Sequence, residues 1–399
     1  MSSADPSISA DLVAREKAAI MQTYGRQPVQ FVRGEGAHLF DPDGRRYVDC
    51  MAGISMINVG HCHPGVVEAI REQAGTLINT SNLYYTEPQI ALAEWIRDRS
   101  LGGRVFFCNS GAEASEAAFK LARKAGGGER TEVVALEDGF HGRTYGALSL
   151  TGQPPKQMPF LPLVGGVRHV ARDDIAGLEA AVSERTCAIF LELIQGEVGV
   201  QPVSPDFIRR ARELADAHGA VLVVDEIQTG LGRTGTLFAY EQFGITPDVM
   251  CLAKSLGGGV PIGAVVTTPQ YQDVLGPGDH GSTFAGGPLA CAAALASCRA
   301  LEDPELLSHV TTAGARLRDG LQRLVAEGLI AEARGVGLMC AIELHDEQAQ
   351  QCVGGLLDEG FLANNTSTST VRFLPPLVID LSDIDKLLDA LGRVVRSLA

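Results

Sequence analysis

The middle of the chain alternates short apolar runs with amphipathic stretches of helical periodicity. Most of the apolar runs are continuously hydrophobic, which predicts strands that are buried on both faces. Strands that alternate with helices in this way are typical of an α/β fold, with a mainly parallel sheet between layers of helices. The predicted strands are Arg104–Cys108, Glu132–Leu136, Ala188–Leu193, Ala220–Asp225, Val249–Ala253 and Gly263–Thr267.

One crossover helix has clear signals at both ends. Ser204 can cap its first turn, Pro205 suits the first helical position, and Gly219 suits a left-handed residue beyond the last turn. The sequence therefore predicts a helix over Pro205–His218 that leads into the strand Ala220–Asp225.

The two ends of the chain predict a smaller α+β domain. Near the N-terminus we expect a helix over Ala10–Gln22 and a hairpin with its turn at 41–44. Beyond residue 285 we expect an alanine-rich helix, a helix near 305–327, strands near 336–343 and 371–373, and a final helix from Asp383. The polar run 364–370 is either a loop near a binding site or an ordinary surface loop. The predicted parts are an N-terminal segment joining the small domain (1–55), a large domain (56–284) and a C-terminal small domain (285–399).

Charge and composition make some partners improbable. The 399 residues include 48 acidic and 33 basic side chains, a formal net charge of −15 and no block of Lys or Arg, which disfavours nucleic acid binding. No apolar run approaches the roughly 20 residues of a membrane span, and the N-terminus lacks the pattern of a secretion signal. The nine cysteines include no C-x-x-C pair, so we expect reduced cysteines in a soluble, cytoplasmic protein.

Two histidines and a cysteine lie together in Gly-His-Cys-His-Pro at 60–64. In a short turn their side chains point in different directions, and the sequence has no second cluster of ligands. We interpret the segment as a structural turn and expect no metal.

An anion-binding loop is indicated after the strand Arg104–Cys108. Ser110 and Glu113 have the spacing of a capping box, so a helix should begin there. The free backbone N–H groups and the dipole of a helix N-terminus favour a phosphate, and the Ser110 hydroxyl adds a donor. An ordinary capped helix would show the same pattern.

Two charged residues follow neighbouring predicted strands. Asp225 ends the strand Ala220–Asp225, and Lys254 comes directly after Val249–Ala253. Open α/β sheets bind ligands at the carboxyl ends of their strands. There, a carboxylate can pair with a protonated pyridine nitrogen, and a desolvated lysine can form a Schiff base with a carbonyl cofactor. Either residue alone would also suit a turn cap or a solvated surface, so the hypothesis depends on their combination with the phosphate loop.

A competing pattern, G-x-G-x-x-G at 230–235, matches a dinucleotide-binding fingerprint. The stretch after it predicts at most a short helix, and no acidic residue lies about twenty positions further on. A nicotinamide- or flavin-dependent oxidoreductase is therefore the weaker hypothesis.

The sequence resembles the class III (ornithine-type) aminotransferases, and within that family most closely its acetylornithine aminotransferase branch. The resemblance runs from about Tyr24 to the end of the chain. It is carried by G-H-C-H-P (60–64), N-S-G-A-E-A (109–114), F-H-G-R (140–143), Q-G-E (195–197), D-E-I-Q-T-G-x-G-R-T-G (225–235), A-K-S-L-G-G-G-x-P-I-G (253–263), G-S-T-F (281–284) and R-F-x-P-P-L (372–377). The competing glycine pattern is part of the long shared motif that begins with D-E-I-Q.

The resemblance implies the type I fold of the transferases that depend on pyridoxal 5'-phosphate (PLP), and PLP as the cofactor. Lys254 would form the Schiff base with PLP, and Asp225 would pair with its pyridinium nitrogen. The other implied cofactor contacts are Ser110, Gly111 and Ala112 on the phosphate, Phe140 on the ring face, Gln228 near the ring hydroxyl and Thr283 on the phosphate of a neighbouring subunit. The contact of Thr283 implies a homodimer with shared active sites.

The family also implies a ping-pong transamination, in which one pocket binds glutamate and another amino donor in turn. Arg372 would bind the α-carboxylate of glutamate, and Arg143 a carboxylate at the other end of the site. Glu197 would pair with Arg372 when no glutamate carboxylate is present.

The resemblance favours N-acetylornithine as donor and 2-oxoglutarate as acceptor, in arginine biosynthesis. Ornithine-specific relatives carry a tyrosine where this chain has Ile54, and an apolar wall tolerates an acylated nitrogen better than a charged amine. Tyr85 resembles a residue of the ornithine pocket and argues for the other donor. The alternatives are succinylornithine, ornithine or 4-aminobutyrate as donor, an aminomutase or racemase on the same fold, and a non-catalytic protein that has kept the fold.

Three positions depart from the family pattern. Leu193 and Val198 replace the usual Pro and Gly near Glu197, and Gly287 replaces an Asn. We expect changes in the backbone near Glu197 and in the packing after Thr283, but none in the cofactor chemistry.

Overall fold

A seven-stranded sheet, here called the large sheet, forms the centre of the computed structural model, which describes residues 8–398. Its strands lie in the order Val105–Cys108, Gly263–Thr267, Val249–Leu252, Val221–Asp225, Thr186–Leu191, Glu132–Leu136 and Val167–Val170. Neighbouring strands are parallel except where Gly263–Thr267 pairs with the strand on either side. The predicted α/β fold with a mainly parallel sheet is confirmed.

Both faces of the large sheet are buried, as the continuous apolar runs predict. Along Val221–Asp225, successive side chains alternate between two hydrophobic clusters. Val221 and Val223 belong to one cluster, and Leu222 and Val224 to the other. The strand ends at the edge of the sheet with Asp225, so the first polar side chain emerges where the core stops.

All six predicted strands exist, with small shifts at some ends. The strand predicted over Ala188–Leu193 occupies Thr186–Leu191, because the chain leaves the sheet at Glu192. The pattern does not predict the edge strand Val167–Val170, which has a neighbour on one side only and therefore includes exposed polar residues.

Helices cover the sheet on both sides. The α-helices are Ala10–Ala19, Pro64–Thr76, Glu87–Asp98, Gly111–Ala125, Tyr145–Leu150, Pro154–Gln157, Ile175–Ala181, Pro205–His218, Pro288–Ala300, Pro304–Ala326, Ala349–Asp358 and Leu381–Leu398. Short 3-10 helices lie at Ser81–Leu83, Met158–Phe160, Ala239–Gln242 and Lys254–Gly257, and a helical turn of left-handed residues lies at Ala52–Ser55.

The helix Pro205–His218 has the predicted bounds. The Ser204 hydroxyl accepts the Phe207 N–H at 3.3 Å, and Gly219 has the left-handed φ of +60° that ends the helix. Helices with weaker end signals differ from the prediction. The N-terminal helix stops at Ala19 rather than Gln22, and the final helix begins at Leu381 rather than Asp383.

Two four-stranded sheets lie outside the large sheet. One contains Arg33–Glu35, His38–Phe40, Arg46–Asp49 and Phe361–Leu362, and the other Glu332–Val336, Met339–Glu343, Thr370–Phe373 and Asn364–Asn365. A further two-stranded sheet joins Ile194–Gln195 to Gln201–Pro202.

The region predicted as a strand near 336–343 contains the turn of a hairpin, because Gly337 has a φ of +57°. Phe361–Leu362 pairs with Arg46–Asp49, which supports a junction between the N-terminal segment and the small domain; the boundaries 1–55, 56–284 and 285–399 stay a prediction.

The Gly-His-Cys-His-Pro segment forms a turn. His61 Nε2 lies 2.7 Å from Asp49 Oδ2, and His63 precedes the helix Pro64–Thr76. Within residues 8–398, no three His, Cys, Asp or Glu side chains are grouped to hold a metal. No helix in the same part of the chain is long and apolar enough to cross a membrane.

Candidate active site

A cavity of about 410 Å³ opens at the carboxyl-terminal edge of the large sheet. The strands Val221–Asp225 and Val249–Leu252 point toward it, and the helix Gly111–Ala125 begins beside it. The predicted site residues that line this cavity are Ser110, Gly111, Ala112, Phe140, Arg143, Glu197, Asp225, Gln228 and Lys254. The topology therefore brings together residues that are far apart in sequence.

Lys254 lies in an unusual backbone conformation at the start of Lys254–Gly257. Its φ of +45° is left-handed, which is rare for a residue with a side chain and is found most often at functional sites. Burial lowers the pKa of the Lys254 amine below its usual value, and Arg372 adds to the effect, whereas Glu197 opposes it. A lowered pKa makes the neutral, nucleophilic amine more available near neutral pH.

Asp225 is buried and fixed by two hydrogen bonds. Its Oδ2 lies 2.7 Å from Nδ1 of His141, and its Oδ1 accepts the N–H of Ile227 at 3.0 Å. These contacts hold the carboxylate in one orientation toward the cavity. The contact of His141 was not predicted from the sequence, although His141 lies within the F-H-G-R motif between two residues with predicted roles.

Glu192 is a second buried carboxyl group in the cavity, and it was not predicted from the sequence. Burial raises the pKa of Glu192 to about 7, and Asp225 contributes, although His141 acts in the opposite direction. Its Oε2 accepts the N–H of Phe140 at 2.8 Å. The sequence signal for Glu192 is that it is the single acidic residue inside the apolar run 188–193. From the sequence alone, that run predicts one continuous strand.

The loop before the helix Gly111–Ala125 has the expected cap. The Ser110 hydroxyl accepts the N–H of Glu113 at 3.2 Å, whereas the Glu113 carboxylate accepts the N–H of Asn109 at 2.8 Å, one residue earlier than in a standard capping box. The first turn of a helix leaves N–H groups without partners in the helix, and these suit an anion. The space is narrow, because a Cβ on Gly142 would come within 2.7 Å of the Ala112 side chain.

Two cationic side chains lie near the aromatic ring of Phe140. The guanidinium carbon of Arg143 and the amine of Lys156 each lie 5.6 Å from the ring centroid. Burial lowers the pKa of Lys156, Glu197 opposes this and Arg143 adds to it. Lys156 was not predicted, because it lies on the short helix Pro154–Gln157, away from any predicted strand end.

Arg372 lies behind the cavity wall and is only 1% exposed. Its Nη1 donates to the carbonyl of Gly196 at 2.8 Å and lies 3.3 Å from Oε1 of Glu197 and 3.3 Å from Oε1 of Gln228. Burial acts to raise the pKa of Glu197, but Arg372 and Lys254 outweigh it, so the pKa lies below the usual value. The predicted pair of Arg372 and Glu197 is therefore in contact, although Arg372 does not itself line the cavity.

The polar run 364–370 lies beside this pair, near the candidate site, but it forms a hairpin between the strands Asn364–Asn365 and Thr370–Phe373 rather than a plain loop. The side-chain oxygen of Asn364 lies 3.4 Å from Nε of Arg372. Near Glu197, the left-handed turn occurs at Gly199 (φ +88°), where a Cβ would come within 2.6 Å of the Thr370 side chain. The glycine that lets the backbone approach Thr370 is therefore Gly199. Val198, the departure from the family pattern, does not occupy that position.

The other departures have local consequences. Leu193 is fully buried in the core. Gly287 precedes the helix Pro288–Ala300 and provides no side-chain cap, but a Cβ at this position would come within 2.6 Å of Nδ2 of Asn79. A larger side chain at Gly287 would require Asn79 to move.

Besides Arg372, three predicted site residues lie outside the cavity of this chain. Ile54 packs against a small cluster that includes Met339 and Leu374. Tyr85 is 94% exposed, and Thr283 is also exposed. Their proposed roles stay predictions.

The competing glycine pattern does not open a helix. Gly232 and Gly235 have φ values of +89° and +98°, and the chain continues only into the 3-10 helix Ala239–Gln242. The pattern forms a loop that carries Arg233 into the protein interior.

This fold, together with a lysine, a carboxylate and a helix N-terminus at one sheet edge, defines an aminotransferase: the chain belongs to the class-III aminotransferase family, whose sequence profile matches residues 20–395. It is a PLP-dependent enzyme, as the members of this family are. The resemblance stated from the sequence is confirmed.

More particularly, the chain is similar to proteins named acetylornithine aminotransferase. The one from Caldanaerobacter subterraneus subsp. tengcongensis is 45% identical over 389 residues, covering 96% of this chain and 99% of the relative. The one from Methanocaldococcus jannaschii is 47% identical over 384 residues, covering 95% and 96%. Among solved structures, the ornithine aminotransferase of Toxoplasma gondii has a TM-score of 0.93 at 35% identity, covering 97% of this chain and 95% of that one. The N-acetylornithine aminotransferase of Stenotrophomonas maltophilia has a TM-score of 0.82 at 35% identity, covering 97% and 99%.

Proposed function

We propose that this enzyme transfers the distal amino group of N-acetylornithine to 2-oxoglutarate by a ping-pong mechanism. The products are N-acetylglutamate 5-semialdehyde and glutamate, and the reaction belongs to arginine biosynthesis. The observation that carries the proposal is the 3.3 Å contact of buried Arg372 with Glu197, together with an exposed Arg143 that lines the cavity. The proteins named acetylornithine aminotransferase that match nearly the whole chain support the same donor.

The residues of the cavity fit PLP. The helix N-terminus at 110–112 suits a phosphate, and Asp225 suits a protonated pyridine nitrogen. Phe140 offers a ring for stacking, and the buried amine of Lys254 suits covalent attachment to an aldehyde. When bound, PLP supplies the aldehyde that carries the amino group and the ring that withdraws electrons from the substrate carbon.

Lys254 and Asp225 have distinct roles in proton transfer. The Lys254 Nζ would move a proton between the substrate carbon and the former aldehyde carbon of the cofactor, because burial keeps a neutral form of the amine available. The Asp225 carboxylate would favour a proton on the pyridine nitrogen of the bound cofactor. The hydrogen bonds from His141 and Ile227 prevent this carboxylate from turning away.

The two arginines allow one cavity to bind two different substrates. Arg143 binds the α-carboxylate of N-acetylornithine, and nearby Lys156 adds positive charge at that end of the cavity. With this donor, Glu197 neutralises Arg372, so the uncharged part of the substrate does not meet a free buried cation. With glutamate, the α-carboxylate takes the place of Glu197 on Arg372, and Arg143 binds the carboxylate at the other end.

We further propose a cytoplasmic homodimer with shared active sites, in which Thr283 completes the phosphate site of the partner. Exposed apolar side chains support a covered surface in this region: Leu83 is 84% exposed and Phe284 is 70% exposed. All nine cysteines are free thiols, which suits a reducing compartment.

The test compares kcat/KM for N-acetylornithine, succinylornithine, ornithine and 4-aminobutyrate, with and without 2-oxoglutarate. We expect N-acetylornithine to be preferred over ornithine by roughly tenfold or more, a difference of about 1.4 kcal/mol. Ile54→Tyr should reduce this preference, because a hydroxyl can bind the charged α-amine of ornithine. The matched control Ile20→Tyr changes an exposed isoleucine outside the cavity and should leave the preference unchanged. Equal use of both donors by the wild type would refute the donor assignment, and turnover without 2-oxoglutarate would indicate a mutase or racemase.

A further inference from the structure

The backbone turns left-handed for four consecutive residues beside the cavity. Ala52, Gly53, Ile54 and Ser55 have φ values of +46°, +60°, +64° and +66°. This conformation is disfavoured for residues with a side chain, most of all for a β-branched residue such as Ile54, and it normally occurs as single residues. A left-handed turn of this length persists only where its surroundings hold it.

On the N-terminal side, Asp49 holds the turn. Its Oδ1 accepts the N–H groups of Met51 at 2.8 Å and Ala52 at 2.9 Å. Its Oδ2 is held in turn by Nε2 of His61 at 2.7 Å. The entry to the left-handed turn is therefore fixed by a buried carboxylate.

On the other side, the holding group is Arg233, which is fully buried. Its Nε donates to the Ser55 hydroxyl at 3.0 Å, and its Nη2 donates to the side-chain oxygen of Asn58 at 2.5 Å. The side-chain amide Nδ2 of Asn58 donates to the carbonyl of Leu231 at 2.9 Å. Arg233 thus ties the end of the turn to the loop after Asp225.

The same guanidinium reaches the sheet that carries Arg372. Its Nη1 donates to the carbonyl of Leu338 at 3.0 Å and to that of Pro375 at 2.5 Å. Leu338 precedes the strand Met339–Glu343, and Pro375 follows the strand Thr370–Phe373, which carries Arg372. These two strands are paired. All four direct partners of Arg233 are uncharged, so this buried cation makes no direct ion pair, and only the nearby carboxylate of Asp49 offsets part of its considerable desolvation cost.

The left-handed turn shapes the side wall of the cavity. Met56, the next residue, lines the cavity, and Ile54 packs against Met339 and Leu374. The turn also contacts the segment Lys254–Gly257. The turn therefore contacts the lysine segment and, through Ile54, the strand that pairs with the strand of Arg372.

We propose that Arg233 is a positioning residue for the amino donor: its four hydrogen bonds hold the left-handed turn so that the adjoining Met56 forms the wall against which the side chain of the donor lies. The inference rests on the proposed function, because it requires an amino donor whose side chain occupies this cavity.

The main experiment measures steady-state kinetics of Arg233→Lys for both substrates. Lysine keeps the charge, but its single ammonium group cannot reach acceptors on opposite sides as a guanidinium does. We expect the KM for N-acetylornithine to rise by roughly tenfold, whereas kcat and the KM for the acceptor, 2-oxoglutarate, change by less than about threefold. The control Arg209→Lys alters an exposed arginine that pairs with Asp206 and should leave all three constants unchanged.

Two milder variants test the same wall if Arg233→Lys does not fold. Ser55→Ala removes the acceptor of the Arg233 Nε, and Gly53→Ala adds a Cβ that would come within 2.8 Å of the end of Met56. Both should raise the KM for the donor by a larger factor than the KM for the acceptor. A purely structural role would lower Tm and leave the ratio of the two KM values unchanged, and that result overturns the inference.

The outcome separates this inference from the proposed function. If the wild type does not use N-acetylornithine, the proposed donor is wrong, and the same ratio is measured with the best donor of the panel. If the wild type uses N-acetylornithine and the ratio is unchanged in every variant that folds, the inference fails and the proposed function stands.

Discussion

Lys254 and Asp225 reach one cavity from neighbouring strands, but their surroundings act on them in different ways. Burial and Arg372 lower the pKa of Lys254, which increases the share of neutral amine. Asp225 is held by Nδ1 of His141 at 2.7 Å and by the backbone N–H of Ile227 at 3.0 Å. The amine is thus suited to exchange protons, and the carboxyl group is fixed in orientation.

The first prediction concerns Lys254→Ala. The variant should fold and lose at least about a thousandfold in kcat, because the group proposed to attach the cofactor and move the proton is gone. In the wild type, borohydride reduction followed by peptide mapping should find the cofactor on Lys254. Lys156→Ala, the matched control at the same cavity, should keep the covalent cofactor. Cofactor trapped on Lys120, Lys124 or Lys156 would contradict the assignment.

A second prediction concerns the charge of Asp225. Asp225→Asn keeps the shape and removes the charge, so proton transfer should slow by about a hundredfold or more, whereas cofactor affinity should fall much less. Stopped-flow measurement of the half-reaction separates the two effects. Asp248→Asn, which alters a carboxylate paired with Arg212 outside the cavity, should show no such slowing. Near-normal rates in Asp225→Asn would mean that another group protonates the nitrogen.

At the scale of the secondary-structure elements, the edge of the large sheet has a stability cost. Glu226, which directly follows the strand Val221–Asp225, is buried, and burial raises its pKa to about 7. Its carboxylate accepts the N–H of Tyr240 at 2.8 Å and the hydroxyl of Thr229 at 2.6 Å, which anchors the loop after the strand. These hydrogen bonds offset only part of the cost of a buried charge.

Because of this cost, the stability of the folded protein should depend on pH in a testable way. Because the folded-state pKa of Glu226 is raised from the ordinary 4.5 to about 7, the folded protein binds this proton more tightly than the unfolded chain does. Glu226 therefore lowers the free energy of unfolding. This loss is absent below about pH 4.5 and grows as the pH rises from there through 7, up to about 3 kcal/mol. Glu226→Gln should therefore gain in Tm relative to wild type at pH 8, by up to about 4 °C, and gain little at pH 5.

Calorimetry at both pH values measures this difference. Glu241→Gln is the control, because Glu241 is only partly buried and its pKa is raised to a lesser extent. A gain that is equal at pH 5 and pH 8 would show that Glu226 does not titrate in this window.

At the scale of the whole molecule, one subunit exposes residues that the family places in a site. Thr283 and Tyr85 are exposed, and neither lines the cavity of its own chain. Asn109, at the phosphate loop, donates to the hydroxyl of Ser282 at 2.8 Å, so the segment that carries Thr283 is anchored close to the cavity rim. The proposed role of Thr283 therefore requires a second subunit.

We therefore predict complementation between two inactive variants. Lys254→Ala and Thr283→Ala homodimers should each have little activity, because each lacks one part of every site. Heterodimers made by mixing should regain up to about half of the wild-type activity per site, since one of the two sites then receives both intact residues. A monomer that is fully active at assay concentrations, as judged by sedimentation, would contradict the shared site.

Local patterns in the sequence determined most of the elements and the main reactive groups. Continuous apolar runs predicted the six strands, and strong end signals predicted the helix Pro205–His218, because such signals depend on neighbours within a few residues. The placement of Asp225 and Lys254 followed from the same logic, since the ends of parallel strands meet at one edge.

Only the tertiary structure decided how the buried polar groups are paired. The contact of His141 with Asp225 joins residues 84 positions apart, and no local pattern records it. The pair of Arg372 and Glu197, 175 positions apart, followed from the family resemblance and not from any local pattern. The left-handed turn at Ala52–Ser55 is the clearest case, because local preference opposes it. Its conformation is determined by Asp49 and Arg233, whose hydrogen bonds outweigh that preference only after distant segments have packed together.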